Sequence, residues 1–129
     1  MQSSADTAAF SKVEEYLAET VKKEPTIRSA AVLTADGLPL VLLMGKDEVE
    51  KLELAAAIAS LGALSEQTAN RLRIGKYKDL MLRCSRGHLL VRWVGTANVL
   101  AVIADHTAPL GATTLIIDFM AKKLLRLLK

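Results

Sequence analysis

The chain is poor in the residues that carry most protein chemistry. It has one cysteine and two histidines among 129 residues, and aromatics make up only 4%. The single cysteine, Cys84, allows no internal disulfide. His88 and His106 have no CxxC or HxxxH spacing around them, so no metal site is legible. Asp105-His106-Thr107 has residue types suited to acid–base work, but no activated nucleophile accompanies it. Gly45-Lys46 follows an apolar run, as in a phosphate-binding loop. Leu40, however, stands where the earlier glycine of that loop belongs, and Asp47 replaces the Ser or Thr that would hold magnesium. No catalytic, cofactor-binding or metal-binding residue is assigned, and an enzyme is not expected.

Long apolar runs are missing as well. None reaches the ~18 residues of a membrane-spanning helix, so membrane insertion is not expected. The opening MQSSADTAAF lacks the basic start and apolar core of an export signal. With the lone cysteine, this predicts a cytoplasmic location. Tyr77 and Trp93 are the only aromatics near the basic residues, too few for a base-stacking platform, so nucleic acid is not an expected partner.

What is present describes a globule. Hydrophobic residues make up 51% and charged residues 24%, with a formal net charge of +3, which excludes a disordered chain. The length suits one domain over residues 1–129 with a real core.

The chain is organised around residues 48–72, a proline-free run that reads as a helix. Leu54, Ile58, Leu61, Ser65, Thr68 and Leu72 recur at steps of three and four, forming a stripe suited to lie on a sheet. Ala55, Ala56, Ala59, Gly62 and Ala63 cluster on the other side, where a surface helix is normally polar. Small side chains admit a second backbone at close range, so a second helix is expected there, from another copy of the chain. The alternative is an Ala-rich helix chosen for propensity alone.

Around it, residues 6–24 read as a first helix, capped by Asp6 or Thr7 and ended by Pro25. Residues 27–34 and 38–44 read as strands joined by Ala35-Asp36-Gly37, with Pro39 marking a sheet edge. Asp47 or Glu48 opens the central helix and Gly75 closes the region after it. Three strands follow over 77–85, 88–94 and 99–105; the last is apolar on both sides and so central. Residues 111–128 form a last helix with Leu115, Phe119, Leu124 and Leu128 as its core side. The order α-β-β-α-β-β-β-α predicts an α+β sandwich, a five-stranded antiparallel sheet with helices on both faces. Arg71, Arg73, Lys76, Lys78, Arg83, Arg86 and Arg92 face one acid, Asp79, across their span. They read either as contacts for an acidic partner, chiefly Arg71, Arg73, Arg83 and Arg86, or as charge that protects a sheet edge.

Several of these pieces together resemble the Roadblock domain family. The segment IRSAAVLTADGLPLVLL is similar to the family's first hairpin, with Asp36-Gly37 at the turn and Leu38-Pro39 opening the second strand. The Ala/Leu-rich helix, the run LLVRWVGTANVLAVIAD and Pro109-Leu110-Gly111 also fit, so the likeness covers nearly the whole chain and points to a prokaryotic member. The resemblance implies a Roadblock/profilin-like fold and a homodimer in which middle helices pack together and third strands pair edge to edge. Leu52, Ala55, Ala56, Ala59, Gly62, Ala63 and Glu66 would then serve the dimer or a GTPase. Lys78, Leu80, Leu82 and Cys84 would lie on the pairing strand. Family members scaffold and regulate small Ras-like GTPases, and the bacterial gliding-motility member is a GTPase-activating protein. It works without an inserted arginine, so neither Arg71 nor Arg73 is read as a finger. The resemblance thus implies a non-catalytic homodimer that binds a small Ras-like GTPase. An adaptor of the dynein light chain type is the alternative, and a small-molecule sensor using His88 or His106 a third reading.

Overall fold

The computed structural model describes residues 4–45 and 50–129. The elements run α1 (Ser4–Lys23), β1 (Ile27–Thr34), β2 (Pro39–Met44), α2 (Lys51–Leu72), β3 (Asp79–Arg83), β4 (Gly87–Val94), β5 (Asn98–Asp105) and α3 (Leu110–Leu127). The sheet order is β2-β1-β5-β4-β3, and each neighbouring pair is antiparallel. β5 is central, as its double-sided apolar pattern requires, and β2 and β3 are the edges.

Helices cover both faces. On one, Val13 and Leu17 of α1 and Ile117, Met120 and Leu124 of α3 meet Ala30, Val32, Leu90, Leu100 and Val102 of the strands. On the other, Leu54, Ala55 and Ile58 of α2 meet Ala31, Leu33, Val91, Val99 and Ala101. Successive residues of a strand point to opposite faces, which is why neighbours such as Leu100 and Ala101 belong to different cores.

The β1–β2 turn forms where Asp36-Gly37 predicts it. Gly37 takes φ +92, a region that favours glycine, and its N–H donates to the Thr34 carbonyl at 2.9 Å. Gly45 has a plain structural reason: a Cβ there would run into the Arg28 carbonyl of β1.

Two local expectations need correction, one in α1 and one in α3. α1 already runs from Ser4, so Asp6 and Thr7 lie within it and do not begin it. The α2 starts expected at Asp47 or Glu48 lie outside the described residues; the described helix follows Glu50, which is extended. It ends at Leu72, as expected, because Arg73 adopts the left-handed conformation (φ 55) and Ile74 N–H reaches back to the Ala69 carbonyl at 3.1 Å. In α3, Leu115 and Phe119 are 58% and 65% exposed, while Thr113, Ile117, Met120, Ala121 and Leu124 are buried. Two contacts accompany this rotation. The Thr113 hydroxyl donates to the Pro109 carbonyl at 2.9 Å, so it can be buried satisfied. Asp118, on the helix flank, meets Arg92 of β4 at 2.7 Å.

Candidate protein-interaction surface

The α2 layer is built differently from the α1/α3 layer. Five strands about 4.8 Å apart span roughly 20–25 Å, whereas one helix with its side chains covers about 10–12 Å. A lone α2 therefore leaves part of its sheet face open. Leu42, Met44, Leu80, Leu89, Trp93 and Ile103 pack against that core only partly buried. A cleft of about 470 Å³ opens between the first half of α2 and the β4–β5 ends, with Leu54, Ala57, Ile58, Leu89 and Ile103 in its wall.

The small residues of α2 do not all lie opposite the sheet. Ala55 is buried at 5% exposure in the sheet-side core. Ala59 sits beneath the β1–β2 turn, where a Cβ on Gly37 would collide with it. Gly62 lies under Tyr77, whose hydroxyl would be 3.0 Å from an added Cβ. The physical reason is close approach: Ala55, Ala59 and Gly62 let the helix settle against the turn and the segment after it. Thr68 and Leu72, expected on the sheet side, are exposed, while Ala69 between them is buried.

The remaining outer side carries Leu52 and Leu64, 76% and 60% exposed, with Ala56 and Ala63 also exposed. Leu72, the last residue of α2, and Ile74 after it are exposed as well. Glu66 is half-buried, and its carboxylate adds to burial in pushing the Tyr77 phenol above its ordinary pKa, while the Trp93 indole acts the other way. Tyr77 and Trp93 meet edge to face at 5.7 Å between centroids, with the Lys76 ammonium 5.9 Å from the indole.

Next to this layer is the edge of β3, where Met81 and Leu82 are 46% and 51% exposed. The two sheet edges differ. β2 begins with Pro39 and has α1 packed against it, whereas β3 contains no proline. Lys78 and Cys84 flank β3 and are exposed; Leu80 is half-buried on the α2 side.

The basic residues form no single patch. Arg71, Arg73, Lys76 and Lys78 precede β3, Arg83 and Arg86 end it, and Arg92 is held by Asp118 on the other face. The histidines are apart in role. His106 Nδ1 lies 2.9 Å from Asp105, whose carboxylate also meets Arg28 and accepts the Thr107 N–H, so Asp105 organises a turn. His88 is buried on the α1/α3 face, its Nδ1 without a hydrogen-bond partner among the described residues. Among the described residues no group of three His, Cys, Asp or Glu side chains is placed to hold a metal ion, and no helix is long and apolar enough to cross a membrane.

Fold and surface together define an α+β sandwich with one sheet face closed by two helices and the other left partly open beside a free strand edge. The chain belongs to the Roadblock/LC7 domain family, whose model matches residues 13–104, from the middle of α1 to the end of β5. Solved structures agree. The chain is similar to an MglB described in a tetrameric arrangement, at 26% identity and a TM-score of 0.81, covering 93% of this chain and 90% of that one. The gliding protein MglB of Thermus thermophilus gives 24% and 0.81 over the same shares. MglB of Myxococcus xanthus shares the fold at 18% identity, with a TM-score of 0.84 over 98% of this chain and 91% of that one. A comparison with curated protein sequences returned no significant match.

Proposed function

We propose that this chain is a non-catalytic, cytoplasmic regulator and scaffold that works as a homodimer and binds a small Ras-like GTPase. The observation that carries the reading is the exposed apolar outer side of α2, Leu52 and Leu64, next to an unpaired β3 edge bearing Met81 and Leu82. A second copy joined through β3 continues the sheet and brings a second α2 beside the first. Leu52, Ala56, Ala63, Leu64 and the flanking Glu53 and Gln67 then form a two-helix platform. Ala55, Ala59 and Gly62 support that platform from below. Family membership and likeness to MglB support a switch protein as the occupant. Arg71 and Arg73, at the end of α2, lie beside the platform and suit an acidic partner surface.

Light scattering of the purified chain tests the first half of the reading, with a dimer expected. Titration with Ras-like GTPases from the same genome, loaded with GDP or a GTP analogue, tests the second half. Binding of one nucleotide state or a changed hydrolysis rate is expected. A monodisperse species of 13.9 kDa overturns the dimer; a dimer indifferent to every such GTPase overturns the regulator and leaves a structural adaptor.

A further inference from the structure

The backbone of β3 shows which of its residues face the open edge. Trp93 N–H donates to the Lys78 carbonyl at 3.1 Å, and Cys84 N–H donates to the Gly87 carbonyl at 3.0 Å. The even-numbered residues therefore turn their backbone groups toward β4. Alternation along an antiparallel strand then turns the N–H and C=O groups of Asp79, Met81 and Arg83 outward. Those residues stand opposite Arg92, Leu90 and His88 of β4, so their side chains share the α1/α3 face. Leu80 and Leu82, opposite Val91 and Leu89, lie on the α2 face. Asp79 and Arg83 are both exposed, and neither makes an ion pair among the described residues.

We infer that two copies of β3 pair antiparallel with Met81 on the two-fold axis, placing Asp79 of each chain opposite Arg83 of the other. This rests on the dimer proposed above and specifies its register. Both copies of α2 stay on one face of the joined sheet only if opposed residues have the same parity, because a slip of one residue exchanges faces. The two-fold must then pass through one residue of β3. An axis through Asp79 sets two carboxylates face to face, and one through Arg83 sets two guanidinium groups face to face. An axis through Leu82 opposes Asp79 to Ser85 and Arg83 to Met81, leaving both charges unmatched. An axis through Leu80 opposes Asp79 to Met81 and Arg83 to Tyr77, leaving both charges unmatched. Only the axis through Met81 matches both charges, and it sets Leu80 against Leu82 on the α2 face. Opposite charges directly across a pair of strands stabilise it and like charges destabilise it. The charge order Asp-Leu-Met-Leu-Arg is thus complementary to itself when reversed.

Cross-linking reads the register directly. In a Cys84→Ser background, Met81→Cys brings two thiols together on the axis, with Cα atoms about 5.5 Å apart, within the roughly 4.4–6.8 Å that a disulfide spans. Mild oxidation is expected to convert this variant to a covalent dimer, and to leave Leu80→Cys and Leu82→Cys in the same background mostly uncoupled. Preferential coupling at either leucine overturns the register while keeping the dimer. Charge reversal gives a second reading. Asp79→Arg alone and Arg83→Asp alone each set like charges opposite one another twice, and are expected to raise the dimer dissociation constant about tenfold or more. An equimolar mixture of the two variant chains restores both attractive pairs and is expected to form a heterodimer of parental affinity. Single variants that dimerise as the parent does, or a mixture that fails to recover, overturn the register. A monomeric parent chain overturns the dimer and the register together.

Discussion

The two faces of this sheet are alike in sequence pattern and unlike in cover. Under α1 and α3, Val13, Leu17, Leu100, Val102 and Leu124 have no exposed surface at all. Under α2, Leu42, Met44, Leu80, Leu89, Trp93 and Ile103 remain half-buried, and α2 itself holds Leu52 and Leu64 out into solvent. β5 has buried residues on both faces, so the strands are composed for cover on both sides. The difference is the number of helices supplied. A face closed by two helices can be completed within one chain, whereas a face with one helix invites cover from outside. α3 also exposes apolar residues, Leu115 and Phe119, but they form a short crest on the far side of a helix whose inner side is closed. Isolated exposed apolar residues are ordinary; an unfinished layer beside a free edge is not.

Truncation on each face tests that contrast most strongly. Leu124→Ala or Leu17→Ala is expected to cost ~2–5 kcal/mol in urea unfolding of the chain, through lost transfer energy and a cavity. Leu64→Ala is expected to change the chain's own unfolding by no more than ~0.5 kcal/mol and to show itself in self-association. Equal costs at Leu124 and Leu64 would erase the distinction between the faces.

The next test targets the contact by which α2 settles. Gly37→Ala forces an L side chain into φ +92 and drives its Cβ into Ala59. A loss of ~1–3 kcal/mol is expected, and adding Ala59→Gly should recover only part of it, because the collision is relieved and the backbone strain is not. Full recovery would show that φ contributes nothing.

Arg92→Ala probes the closed face. The Arg92–Asp118 pair is one-third exposed on both sides, so solvent screening limits the thermal-unfolding loss to ~0.5–1 kcal/mol. On the open side, Arg73→Gly relieves a non-glycine left-handed residue at the α2 end and is expected to raise stability by ~0.5–1 kcal/mol.

The smallest effect is in alkali. Burial, then Glu66, raises the Tyr77 phenol above its ordinary value. The folded chain therefore holds that proton more firmly than the unfolded chain. The associated stability is complete below the unfolded phenol range, about pH 10, and is lost as pH rises through the higher folded value. Spectroscopic titration should show Tyr77 ionising later than free tyrosine, and Glu66→Gln should bring it partway back.

The order of elements, the hairpin at Asp36-Gly37, the central place of β5 and the edge position of β2 could be read from the chain because each follows from a local period or a turn residue. That α2 carries unusual small residues was legible too. Their division was not: Ala55, Ala59 and Gly62 against the chain's own turn and core, Ala56 and Ala63 outward. The same limit applied to α3, where a stripe through Leu115 and Phe119 fits the helical period as well as the buried one through Ile117, Met120 and Leu124. A period states that a helix has faces, but the neighbours that lie across it select which one is buried. Here the Arg92–Asp118 pair and the Gly37–Ala59 contact join residues far apart in the chain, and no local pattern contains them. By itself, then, the sequence determined the elements, their order and the apolar character of both sheet faces. The tertiary structure alone decided how each helix is turned on its axis and which backbone groups of β3 face outward, because both depend on contacts made only when the layers meet.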